Sequence, residues 1–134
     1  MGNLSGVNGA LDITEIPVLA SNASNSSGNK ANANAVATLA GVAGVTNYVT
    51  GVQASAAGAT AGLPVLLTIT GCVGGTITQI FTFPAGALVG ALPFVLTFFP
   101  ALQATGPNVA IVATLPAGGA GNTNAAVSIQ GFTF

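Results

Sequence analysis

Acid–base chemistry in this chain would have to come from Asp12 and Glu15, because it has no histidine and its only other charged side chain is Lys30. The two carboxylates stand three positions apart, between the chain start and Pro17, ahead of the Ser/Asn-rich run SNASNSSGNKANAN at 21–34. A glycosidase-type pair needs its carboxyls held across a cleft by a packed scaffold, and this stretch offers none. Serine and threonine hydroxyls have no base to activate them and no acid to orient that base. A metal ion would find too few oxygen and nitrogen donors. No catalytic, cofactor-binding or metal-ligating residue is assigned, and the chain reads as noncatalytic.

Cys72 is the single cysteine, so no intrachain disulfide can form. Its setting, Thr70-Gly71-Cys72-Val73-Gly74-Gly75, is a strand end entering a turn. With no cation, histidine or helix N-terminus nearby to lower its pKa, it reads as a small semi-buried filler. Nucleic-acid binding fails on charge, since it depends on Lys and Arg neutralising phosphates and Lys30 stands alone. The Gly-rich segments 71–75 and 117–121 lack the Lys and Ser/Thr of a phosphate loop and read as turns. Asn3-Leu4-Ser5, Asn22-Ala23-Ser24 and Asn25-Ser26-Ser27 match the glycosylation acceptor pattern, which so Asn- and Ser-rich a chain produces by composition. The first twenty residues lack the basic start and continuous apolar run of a secretory signal, so the chain reads as mature or as exported by another route.

Charged residues make up 2% of the chain and hydrophobic ones 51%, with a mean hydropathy of +0.79. Soluble domains usually carry about 25% charged residues. The hydrophobicity argues against disorder, and 134 residues suffice for one domain with a single core. After Lys30 there is no further side-chain carboxylate, amine or guanidinium. A net charge of −1 provides little repulsion between copies. The chain is therefore expected to work packed among copies of itself or against a larger body.

The most apolar stretch, Ile80 to Leu102 (IFTFPAGALVGALPFVLTFFPAL), reaches the length of a membrane span, about 20 residues. Prolines at 84, 93 and 100 and glycines at 86 and 90 break a helix there. It also lacks flanking Lys or Arg and interfacial Trp or Tyr. The alternation on either side of 84–90 instead predicts two strands around a loop, with no membrane partner.

Similar period-2 segments recur along the chain. Ile13 to Leu19, interrupted by Glu15 and Pro17, reads as an extended arm or edge strand, and 21–34 as a polar linker or draped segment. Strands are expected at 35–39, 45–53, 64–70, 76–83, 92–99, 108–115 and 124–134, with 54–62 a small-residue loop. Within 64–70, Val65, Leu67 and Ile69 oppose Leu66, Thr68 and Thr70. Within 92–99, Leu92, Phe94, Leu96 and Phe98 oppose Pro93, Val95, Thr97 and Phe99, so this strand is largely apolar on both faces and should be covered on both, a neighbouring subunit being one candidate cover.

The fold predicted is all-β: an antiparallel β-sandwich, jelly-roll-like, of seven or eight strands. Its domain organisation is an N-terminal arm and linker at 1–34, then the sandwich at 35–134. Phe94, Phe98, Phe99 and Phe132 are the candidate core or subunit contacts.

The segments Thr46-Asn47-Tyr48-Val49-Thr50-Gly51-Val52 and Gly119-Ala120-Gly121-Asn122-Thr123-Asn124-Ala125-Ala126-Val127, with the closing Gly131-Phe132, resemble small bacteriophage virion proteins of the capsid-decoration type. The likeness spans roughly 35–134. It implies a noncatalytic β-sandwich subunit on the outside of a head shell, commonly a homotrimer, partnered by copies of itself and a major capsid protein. It carries no functional site. On that expectation the first 35 residues reach toward neighbouring subunits. The alternative is a secreted or cell-surface fibre-forming or adhesive subunit that pairs through an exposed strand edge. Carbohydrate binding through Tyr48 and Asn and Thr side chains is a third possibility.

Overall fold

The structure, a computed structural model, describes residues 19–134. They form eight strands joined by turns and loops: β1 (Ser21–Ser26), β2 (Ala35–Leu39), β3 (Asn47–Ala56), β4 (Leu63–Thr70), β5 (Ile77–Phe83), β6 (Phe94–Gln103), β7 (Ile111–Leu115) and β8 (Ala125–Thr133). They form two antiparallel four-stranded sheets, ordered β1-β8-β3-β6 and β2-β7-β4-β5. The pairs β1·β8, β2·β7, β3·β6 and β4·β5 are those of one long hairpin, four strands out and four back, wrapped into a sandwich. This is a jelly roll. No helix among the described residues is long and apolar enough to cross a membrane.

Alternation places the core. Ala35, Ala37 and Leu39 of β2, Leu67 and Ile69 of β4, Phe81 and Phe83 of β5, and Ile111, Ala113 and Leu115 of β7 point inward from one sheet. Val49, Val52 and Ala54 of β3 and Ala125, Val127 and Ile129 of β8 meet them from the other. Residue size is graded across this core. Alanines 23, 35, 37 and 113 gather on the β1–β2 side, where β2 approaches β1 and β8. The rings of Phe81, Phe83, Phe94 and Phe98 gather on the β5–β6 side.

Two buried asparagines tie the ends of the sandwich together. The Asn47 Nδ2 donates to the carbonyls of Leu39 (3.2 Å), Ala40 (2.9 Å) and Val109 (2.9 Å). At the other end Asn122 donates to Ala57 (2.8 Å) and Asn124 (3.1 Å), and its Oδ1 accepts the Asn32 N–H. Read from the sequence, both are only turn or strand-edge residues.

The structure revises several expectations. Ser21–Ser26 is not linker but the edge strand β1, in register with β8 from Ser21↔Thr133 to Ser26↔Ser128. It shows no hydrophobic period because only Ala23 packs on the core, and the ladder to β8 holds it. Residues 27–34 drape back on the sandwich through Ser27–Val127, Lys30–Ala125 and Asn34–Ala117 bonds. The sandwich therefore begins by Ser21 rather than at residue 35. The rest of the expected arm, residues 1–18 with Asp12, Glu15 and the Ile13–Val18 stretch, lies outside the described residues. β3 runs on into the expected 54–62 loop, ending at Ala56. β7 starts only at Ile111, after Asn108 turns the chain with φ of 59°. β6 starts at Phe94 and continues through Pro100 to Gln103, which an edge strand permits because one side needs no ladder donor.

Candidate functional site

The size gradient in the core leaves the sandwich open on one side. β5 pairs only with β4 and β6 only with β3, so each is the edge of its sheet, and their outer backbone groups face out. Between β5 and the start of β6 lies a groove of about 520 Å³, lined by Ile80, Phe81, Thr82 and Pro84 on one side and by Gly90 to Phe94 on the other. Phe81 and Phe94 meet edge-to-face in it, centroids 6.5 Å apart, and Phe81 repeats that contact with Phe83 at 5.2 Å.

The rim is apolar as well. Ile80 is 67% exposed and Leu92 is 89% exposed, and both line the groove. Leu66 stands opposite Ile80 in the β4·β5 register and is also exposed. Leu88 and Val89, on the same 84–93 connection as Leu92, are exposed too, while Val95 opens onto the other sheet beside Gln53 and Ser128. The 84–93 connection that presents Leu88, Val89 and Leu92 is anchored by bonds from Gly58 to Val89 (2.6 Å), Gly86 to Ala59 (2.6 Å) and Ala91 to Ala56 (2.8 Å). No Asp, Glu, Lys, Arg or His occurs anywhere after Lys30, so no charged side chain from that part of the chain borders this side. Apolar side chains displayed together on a fixed frame make this side the candidate interaction surface.

Farther along β6 the ladder skips. Gly51 pairs with Thr97 and Val49 with Leu102, so Thr50 alone faces Phe98, Phe99, Pro100 and Ala101. In this bulge, with a cis Phe99–Pro100 bond, Phe98 packs on the core while Phe99 is 79% exposed.

The four candidate phenylalanines thus separate. Phe94 and Phe98 are half-buried against the core. Phe132 is buried outside the main cluster, stacked on Tyr48 with centroids 4.9 Å apart and planes 8° from parallel. Phe99 is not a core residue: it alternates outward with Val95 and Thr97. Within the chain, β6 is covered on one face only, and Val95, Thr97 and Phe99 on the other are open. Cys72 is buried, and burial pushes its thiol pKa up, away from nucleophilic use.

Sequence reasoning missed Ile80, Leu66 and Leu88 as surface residues. A signal for the first two was present: they are apolar intruders on strand faces otherwise carrying Thr68, Thr70, Thr78 and Thr82. Comparison of the chain with protein-family models, with curated proteins and with solved structures finds no match.

Proposed function

We propose that this chain is a noncatalytic virion structural protein, a capsid decoration or cement subunit that assembles as a homo-oligomer, commonly a trimer, on a head shell. The observation that carries this reading is the exposed apolar β5–β6 side in a chain without a side-chain carboxylate, amine or guanidinium after Lys30. A charged partner would leave its own charges unpaired against such a surface, whereas residues 31–134 of a second copy bring none. Jelly rolls recur in viral capsid and lectin domains, an analogy of fold that supports the reading without naming a function. Localisation on the virion surface, and contact with a major capsid protein, belong to the same proposal.

The open edges of β5 and β6 also favour one alternative, a surface fibre built by strand pairing between copies. Quantitative mass spectrometry of purified particles separates the two. A decoration subunit appears at a fixed ratio to the major capsid protein and co-sediments with the shell. Absence from particles, with recovery in cell-surface fibres, would replace the first reading by the second.

A further inference from the structure

Deepening that reading, we propose that the β5–β6 groove receives residues Ile16 to Val18 of a second copy, which add to the free edge of β5 as an outermost strand. Eighteen residues precede the described part of the chain, and their most apolar portion, 13–18, runs up to Leu19, itself exposed just ahead of β1. β5 offers seven residues of unpaired edge, and the slot beside it is floored by Phe81 and Phe94.

The sequence suits the outermost position. Pro17 lacks a backbone donor, and a strand that pairs on one side only can turn that position outward. Ile16 and Val18 then share the opposite phase and one face. Glu15 falls in the phase of Pro17, which keeps its charge out of the slot.

Geometry makes the donor a different copy. β1 lies three strands from β6 in sheet order, roughly 14 Å at 4.8 Å per strand. Ser21 is level with Thr133, whereas Phe94 is level with Ala54 and hence Val127, six residues farther along β8 and about 20 Å away. The separation is therefore about 24 Å, while five residues of extended chain carry Ile16 at most about 18 Å from Ser21. Ile16 and Val18 fall short of their own groove. The resulting contact is head-to-tail, which closes as a ring or continues as a filament.

Complementation in the full-length chain tests this. Ile16→Asp/Val18→Asp removes the arm's anchors and keeps the groove. Ile80→Asp/Leu92→Asp spoils the groove at two exposed positions and keeps the arm. Each alone should raise the self-association constant for dissociation roughly 100-fold or more, since a carboxylate must be buried unpaired. An equimolar mixture should form a one-to-one heterodimer by native mass spectrometry, because one chain supplies the groove and the other the arm. Ile13→Asp, in the outward phase, should change association by less than about threefold. Wild-type association by Ile16→Asp/Val18→Asp would overturn the arm while leaving the assembly reading intact, and a mixture that stays monomeric would overturn it as well. Complementation by a chain absent from particles would uphold the arm and remove the virion reading.

Discussion

Asn47→Asp should cost roughly 4–5 kcal/mol of stability at pH 7, although it changes a single amide to a carboxylate. Asn47 is 2% exposed, and its Nδ2 donates to three carbonyls from three different places: the end of β2, the residue after it, and the approach to β7. An ionised carboxylate would turn oxygens on those carbonyls, at a position only 2% exposed to solvent. Repulsion and desolvation both raise the folded-state pKa above the ordinary aspartate value near 3.9. The sign follows. With the folded pKa above the unfolded one, the variant keeps what stability it has below about pH 4 and loses it as pH rises through the folded pKa, at about 1.4 kcal/mol per unit. Asn47→Ala lacks the charge and should cost about 2–3 kcal/mol independently of pH. Urea denaturation at acid and neutral pH distinguishes the two. The background is favourable, since Asp12 and Glu15 are the only carboxyl side chains in the wild-type chain.

Gly131→Ala should cost more than about 3 kcal/mol, through close backbone approach. Gly131 sits opposite Val49, where β3 carries the extra residue Thr50. A Cβ there would run into the Tyr48 carbonyl, with the Val49 Cα 2.9 Å away. These are backbone atoms of the paired strand, so no rotamer change relieves the clash. β8 would have to separate from β3 at the center of its sheet, beside the Tyr48–Phe132 stack. Gly106 provides the contrast, with nothing within 4 Å of its would-be Cβ and no positive φ. Gly106→Ala should be neutral or stabilising by up to about 1 kcal/mol. Thermal unfolding of the two variants gives the comparison directly.

The parts of the fold legible in the sequence are those where burial on one face writes a period of two. Val65-Leu67-Ile69 in β4, Phe81-Phe83 in β5 and Ile111-Ala113-Leu115 in β7 were all assignable because their alternate neighbours face water. β1 left no such trace, as its outer face is solvated and one alanine suffices inside. The β6 bulge was hidden for another reason: Pro100 signals a turn locally, whereas an edge strand absorbs it.

The exposed apolar side was half legible. The two apolar faces of 92–99 announced an unusual strand, but which face stays open depends on β6 being an edge, a property of topology rather than of local sequence. The asparagine clamps were illegible for the same reason, since Asn47 reaches a carbonyl 62 residues away. The functional conclusion needs both levels. Composition removes charge from the surface, and topology brings Leu66, Ile80 and Leu92 to one side of it.

That side is the central claim, and sedimentation velocity of the full-length chain beside Ile80→Asp/Leu92→Asp tests it most directly. The wild-type chain should sediment as an assembly larger than the monomer whose size is unchanged between about 0.1 M and 1 M salt, because no ion pair holds it. The variant should run as a folded monomer with wild-type circular dichroism. A monomeric wild-type chain at about 100 μM, above the micromolar range expected of a specific interface, or a variant that assembles like wild type, would contradict the account.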